Sequence, residues 1–300
     1  MWFQPPIHWL LRQRSASIHV TRSEISFAHI DWCGRPVRIE YQWIDATDHG
    51  APLMVFLHEG LGSLAMWREF PKALCKATRC RGLVYSRPGY GRSTPRAAVE
   101  AWDVDFMHRQ AFEVLPALFA ALQVDVAVQS PWLFGHSDGG SIALLYAAKH
   151  ARQVAGVIVV APHILVEDIS VQSIAKAREV YLETDFKQRL ARYHDDPDSA
   201  FWGWYRAWQL PAFRDWSIEA EIKSIACPVL AVQGLGDEYG TLEQIRGIAR
   251  CVAHTELLEL PDCGHSPHRD QSEKLIAAVS EFMNRHARVH RTAAIPGPGE

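Results

Sequence analysis

Five residues, Gly135-His136-Ser137-Asp138-Gly139, constrain this chain more than any other stretch. They fit G-x-S-x-G, the turn that presents a nucleophilic serine between a strand and a helix. Pro131-Trp132-Leu133-Phe134 ahead of it is short, apolar and aromatic, as a buried strand requires. Ser141 to Ala148 behind it is apolar at helical spacing and rich in good helix formers. A reversal this tight excludes side chains, which accounts for glycine at 135, 139 and 140. The strained backbone lifts the Ser137 hydroxyl clear of the sheet and toward a base. The plain alternative is a serine that only caps a helix. The strand before it and the helix after it favour the elbow.

A serine hydroxyl is a poor nucleophile near neutral pH, so it needs a base, and the base needs an orienting acid. In an elbow protein these follow later strands in the order serine, acid, histidine. Asp237 lies just past a strand at 228–232, in the turn Gln233-Gly234-Leu235-Gly236-Asp237-Glu238-Tyr239-Gly240. His265 follows a strand at 256–260, in Pro261-Asp262-Cys263-Gly264-His265-Ser266-Pro267-His268, where Ser266 can cap the next helix and Pro267 open it. Singly, Asp237 reads as a turn aspartate and His265 as a loop histidine. Together with Ser137 they hold the expected order, each at a strand end. Glu238 and Asp262 are the rival acids. Among other histidines, His136 is expected to point away from Ser137, His163 to enter the pocket wall, and His268 to be exposed. The oxyanion donors are expected to be the backbone N–H of Asp138 and that of Gly60 or Leu61, in the loop His58-Glu59-Gly60-Leu61-Gly62-Ser63 after the 53–57 strand.

Strands are expected at 25–31 and 36–44, joined by Cys33-Gly34-Arg35-Pro36, then at 53–57, 83–85, 131–134, 154–160, 228–232 and 256–260. Helices are expected at 65–77, 104–123, 141–148, 241–251 and 269–287. Alternating strands and helices imply a mostly parallel sheet covered on both faces, with its site at the carboxyl ends of the strands. The alternation breaks at 163–220, where Phe201, Trp202, Trp204, Tyr205, Trp208, Phe213 and Trp216 crowd a helical stretch. It reads as a helical cap between core segments 25–162 and 221–290. Most of its aromatics pack the cap. Trp204 and Trp208 are assigned to the pocket with Glu59, His136 and His163, because pockets are largely apolar and aromatic. Residues 1–24 read as an extension and 291–300 as a flexible tail.

With a net charge of −3 and no basic stripe, nucleic acid is an unsuitable partner. No apolar run approaches the ~20 residues of a membrane span, and the N-terminus lacks the basic start of a signal peptide. The six cysteines have no framework spacing, which suits reduced thiols in a cytoplasm. No metal-ligand motif stands out among the fifteen histidines. Monomer and homodimer both fit.

The elbow, the Gly234–Gly240 turn with Asp237 and Gly264-His265-Ser266-Pro267 resemble the α/β-hydrolase fold family. The His58–Ser63 loop and Ser86-Arg87-Pro88-Gly89-Tyr90-Gly91-Arg92-Ser93 add to the likeness, which spans roughly residues 25–287. The resemblance implies a Ser–His–Asp triad at Ser137, His265 and Asp237, a cap after the sixth strand, no cofactor, and cleavage of a carboxylic ester or related acyl bond; the aromatic cap suggests that the substrate is small and apolar. Two positions depart from the family pattern. Glu59 stands where the family loop usually has glycine, and Ser266 follows the histidine where carbon–carbon bond hydrolases often carry tryptophan. Thioester, lactone and carbon–carbon cleavage stay open as alternatives. Two other classes compete. Gly60-Leu61-Gly62-Ser63-Leu64-Ala65 mimics a dinucleotide loop, with Arg87 as an NADP 2′-phosphate partner. A slow ligand-binding receptor on the same fold is the other.

Overall fold

The computed structural model describes residues 25–45, 50–97 and 100–293. The expected extension and residues 294–300 of the expected tail lie outside the described residues; 291–293 continue the last helix.

Eight strands form one sheet: β1 (Ile25–Trp32), β2 (Arg35–Ile44), β3 (Leu53–Leu57), β4 (Arg81–Tyr85), β5 (Trp132–His136), β6 (Gly156–Val160), β7 (Val229–Gly234) and β8 (Thr255–Leu260). The spatial order is β1-β2-β4-β3-β5-β6-β7-β8. The first hairpin is antiparallel, β2 pairs antiparallel with β4, and every later pairing is parallel. The hairpin turn is Cys33-Gly34 alone, both at positive φ (57° and 70°), the two-residue geometry that matches strand twist. Arg35 and Pro36, expected in the turn, open β2 instead.

The sheet is buried on both faces. Leu53, Val55 and Leu57 of β3 face one apolar cluster, and Met54 and Phe56 face the other. Helices α2 (Phe106–Arg109), α3 (Leu115–Ala121), α4 (Val126–Gln129) and α5 (Asp138–Lys149) belong to the connections flanking β5, while α1 (Phe70–Thr78) and α12 (Ser272–Ala293) cover the opposite face. Between β6 and β7 run α6 (Asp168–Glu183), α7 (Phe186–Leu190), α8 (Pro197–Trp208) and α9 (Glu219–Ile222). α10 (Glu243–Cys251) and α11 (Pro267–Asp270) complete the set.

Two expected helices depart from regular α-helix next to a proline. The stretch at 65–77 divides into a 3-10 turn at Leu64–Trp67 and α1, with Arg68 at φ 54° between them. Pro71 lacks the N–H that would bond to Trp67, and its ring would strike the Trp67 carbonyl. The stretch at 104–123 runs through a π-helical turn, Gln110–Val114, just ahead of Pro116. The expected 269–287 helix starts at Pro267, breaks at Gln271 and restarts at Ser272. Ser266 contributes its carbonyl, not its hydroxyl, to the start of α11: the N–H groups of Arg269 and Asp270 donate to it at 2.8 and 3.0 Å.

Candidate active site

The elbow sits where β5 turns into α5. Ser137 holds φ 52° and ψ −123°, a strained region for a residue with a side chain. Its neighbours show why the flanking positions are glycine. A Cβ at 135 would overlap the Gly139 carbonyl, and one at 139 would overlap the Leu57 carbonyl at the end of β3. The sequence can therefore make this turn only with hydrogen at both positions.

Two later loops converge on it. At the end of β7, Asp237 is almost fully buried. Its Oδ1 lies 2.8 Å from Nδ1 of His265 and accepts the Tyr239 N–H at 2.8 Å, while Oδ2 accepts from Gln233 Nε2 at 3.1 Å. A carboxylate can only accept, so Nδ1 of His265 carries the proton and Nε2 presents a lone pair. Burial pulls the His265 pKa down, but the Asp237 charge and hydrogen bond outweigh it and hold the ring above its ordinary value. Burial likewise opposes the charge on Asp237, and His265 overcomes it, leaving that carboxyl below its usual range. Glu238, the rival acid, accepts the His265 backbone N–H at 3.3 Å, not the ring. Asp262, the other rival, is an exposed turn residue at φ 53°.

A pocket with about 440 Å³ of open space brings most of the expected site together. Ser137, His265, Asp138, Gly60, Leu61, Glu59, His163, Trp204 and Trp208 all line it, joined by Ile174, Ala177, Phe186 and Tyr239. Ser137 Oγ makes no hydrogen bond to His265 among the described contacts. Burial drives the His163 pKa down to about 3, so its ring is neutral beside the pocket, 4.8 Å from Trp208.

Two expectations about histidines fail. His136 is absent from the pocket wall: its Nε2 donates to the His265 carbonyl at 2.7 Å, and its Nδ1 faces Glu59 at 3.6 Å. The strand alternation turns it to the side opposite Ser137. His268, expected at the surface, is buried against Trp67, Phe70 and His136, since α11 packs back on the sheet end. The dinucleotide reading also loses its parts. The Gly60–Ala65 loop leads into a single 3-10 turn, where a dinucleotide site needs a helix N-terminus. Arg87 is 1% exposed and engaged with Glu59 and Asp138.

The sequence reading also passed over three contributors. Gln233 holds the second oxygen of Asp237. Tyr239 packs its ring against that of His265, centroids 4.8 Å apart and planes tilted by 49°. Arg87 lies between the two expected oxyanion residues. Gln233 sits at the end of β7, four residues before the acid in the following turn, which is the one available signal. The other two contacts depend on how loops fold over one another. Burial opposes ionisation of Glu59, but His136 and Arg269 hold its carboxyl well below the usual range; Arg269 Nη2 lies 3.5 Å from it.

Among the described residues no cluster of His, Cys, Asp and Glu could hold a metal ion, and no helix is long and apolar enough to cross a membrane. All six cysteines are free.

A parallel sheet with a strained serine elbow and a buried Asp–His pair at its carboxyl end defines a hydrolase-type scaffold. A family profile described as "Alpha/beta hydrolase family" matches residues 54–279, and the chain belongs to that family. Among curated relatives, a 2-succinyl-6-hydroxy-2,4-cyclohexadiene-1-carboxylate synthase of Enterobacter sp. (strain 638) is 25% identical over 265 residues, covering 78% of this chain and 92% of the relative. A bifunctional esterase/perhydrolase of Acinetobacter calcoaceticus is 24% identical over 300 residues, covering 88% and 98%. Among solved structures, the enol-lactonase from Burkholderia xenovorans LB400 aligns at TM-score 0.66 with 21% identity, covering 86% of this chain and all of that one. A thermophilic esterase from Thermogutta terrifontis aligns at TM-score 0.67 with 17% identity, covering 88% and 99%. These last two establish the shared fold.

Proposed function

We propose that this protein is a serine hydrolase that cleaves a small, uncharged, apolar carboxylic ester through an acyl-enzyme. The observation that carries the reading is the 2.8 Å Asp237–His265 pair opening onto the same pocket as the strained Ser137. In this mechanism Ser137 attacks the carbonyl while Nε2 of His265 takes its proton. Asp237 fixes the ring's tautomer and stabilises its charged form. The Asp138 and Gly60 amides hold the oxyanion. His265 then protonates the departing alcohol, and water repeats the sequence on the acyl-enzyme. Serine–histidine pairs are often long before substrate arrives and tighten in the Michaelis complex.

The helices between β6 and β7 act as a cap. Ile174, Ala177, Phe186, Trp204 and Trp208 supply most of the apolar wall. Ser170 and Ser173 of α6 tie the cap to the acid loop by donating to the Tyr239 and Glu238 carbonyls at 2.5 and 2.7 Å. The pocket-lining residues include no lysine or arginine. A carboxylate on the substrate would be desolvated there without a cation to receive it. This favours an uncharged ester.

The synthase relatives support a second reading, carbon–carbon bond chemistry on the same residues. A panel of nitrophenyl esters of graded length and charge, a thioester, a lactone and a dienone separates the two, with fluorophosphonate labelling mapped by mass spectrometry. Turnover of uncharged esters with label on Ser137 supports the proposal. Turnover confined to the dienone, or label elsewhere, overturns it.

A further inference from the structure

A trans peptide points its C=O and its N–H in opposite directions. Whatever grips the Glu59 carbonyl therefore also aims the Gly60 N–H. That carbonyl is gripped three times. Nδ1–H of His58 donates to it at 2.7 Å, Nη2 of Arg87 at 2.8 Å and the Gly62 N–H at 3.0 Å. The same Arg87 Nη2 lies 3.8 Å from Oδ2 of Asp138, the other expected oxyanion residue. Both side chains of this pair are 1% exposed. The Arg87 guanidinium lies 4.7 Å over the Tyr90 ring.

We propose that Arg87 is the positioning residue that assembles the oxyanion hole. With His58 it locks the Glu59–Gly60 peptide so that Gly60 N–H faces the pocket, and it braces Asp138 from behind. The proposal deepens the serine-hydrolase reading and rests on it.

The histidine's tautomer follows from its partners. The Arg87 N–H donates to Nε2 of His58 at 3.0 Å, so the single ring proton sits on Nδ1, where the Glu59 carbonyl needs it. Burial, helped by the Arg87 charge, holds His58 well below its ordinary pKa, so it stays neutral in this role. The arrangement needs arginine in particular. One guanidinium can reach a carbonyl and a carboxylate together, whereas a lysine ammonium is a point charge on a flexible stem. On the acid side, Trp208 Nε1 donates to Oδ1 of Asp138 at 3.2 Å, while Oδ2 makes no hydrogen bond and has the Arg87 charge 3.8 Å away.

The test compares Arg87→Lys, Arg87→Met, His58→Asn and His58→Leu with the wild type on the best ester of the panel. The readouts are kcat, KM and inhibition by a trifluoromethyl ketone, whose hydrated adduct places an oxyanion in the hole. Near-ultraviolet circular dichroism and Tm report folding. Loss of one oxyanion donor costs ~10²–10³ in kcat, so Arg87→Met is expected to approach about a hundredfold. KM should stay within about threefold, and ketone affinity should fall in proportion to kcat. Asparagine at 58 keeps a donor near Nδ1 and should recover most of what leucine loses.

A purely structural arginine would lower Tm and leave the kcat and ketone affinity of the folded fraction unchanged. That result overturns the proposal, as does an Arg87→Lys variant equal to wild type in both readouts. If Arg87→Met fails to fold, the His58 pair decides alone: equal kcat for the two folded variants overturns the clamp. A wild type without ester turnover or Ser137 labelling refutes the hydrolase reading itself, a separate outcome.

Discussion

Two carboxylate–imidazole pairs flank the serine elbow, and only one is placed to do chemistry. Asp237 and His265 meet at 2.8 Å, and His265 lines the pocket. Glu59 and His136 stand 3.6 Å apart, and His136 has already spent its Nε2 proton on the His265 carbonyl. Burial acts on both rings. Asp237 overcomes it and holds His265 above its ordinary pKa, whereas at His136 burial wins and the value is lowered. An acid next to a histidine is therefore not a catalytic signature by itself. What decides is where the unbonded ring nitrogen is placed: Nδ1 of His136 has no hydrogen-bond partner and faces Glu59, away from the pocket, whereas the His265 ring lines the pocket. On this comparison the front pair is the one proposed to run the reaction, and the rear pair holds the front histidine's backbone in place.

The largest test removes the nucleophile shared by any use of the front pair. Ser137→Ala should lower ester turnover by ~10⁶ with Tm little changed; retained turnover would remove both the elbow's role and the comparison. Next, Asp237→Asn should cost ~10⁴ in kcat, because an amide can donate to His265 and reverse its tautomer. Glu59→Gln should cost less than about tenfold in kcat, since the Glu59 carbonyl contacts survive the change. Its penalty should appear in stability, about 1–3 kcal/mol, from leaving Arg269 without its carboxylate. Chemical denaturation and steady-state kinetics on the two variants settle this. Equal kcat losses would mean that the rear pair is catalytic too.

The pH profile sharpens the same contrast. His265 must be neutral to accept a proton, and its pKa is raised. The acid limb of kcat/KM should therefore fall above pH 6.5, and Asp237→Asn should move it downward. Stability runs the other way. A histidine with a raised folded pKa contributes fully below about 6.5, its unfolded value, and loses that contribution as pH rises through the folded value. Asp237, with a lowered pKa, contributes above its unfolded value and loses this as pH falls through the folded one.

The legible parts of the site were those set by local chain geometry. The elbow announced itself because Gly135 and Gly139 are forced by backbone contacts. Asp237 and His265 were legible because strand ends in a parallel sheet gather on one edge, here β7 and β8. Secondary structure departs from expectation where Pro71 acts inside an apolar pattern and splits the 65–77 stretch, whereas the 104–123 stretch stays helical from 106 to 121 with a π turn ahead of Pro116; hydrophobic periodicity does not register a missing N–H. His136 points away from Ser137 as adjacency in the elbow predicts, and for the same reason it does not line the pocket to which it is also assigned. From the sequence, Arg87 reads as part of the Ser86–Ser93 loop and as a phosphate partner. Its contacts come from elements 28 and 51 residues away, and no local pattern encodes them.

The smallest effect is expected at His268, and its smallness is informative. This residue packs 4.7 Å from the His136 ring, behind the rear pair. Burial first, then His136 and Arg269, hold its pKa well below the ordinary value, so the ring is neutral. Neither ring nitrogen has a hydrogen-bond partner among the described residues. An unsatisfied buried polar group costs about 1–3 kcal/mol, so His268→Leu trades that penalty for apolar contact with Trp67 and Phe70. The variant should equal or exceed the wild type in Tm and keep kcat within about twofold, read by thermal unfolding and the ester assay. A large kcat loss without a stability loss would mean that the rear histidines transmit charge to His265 rather than merely fill space, and the contrast between the two pairs would have to be redrawn.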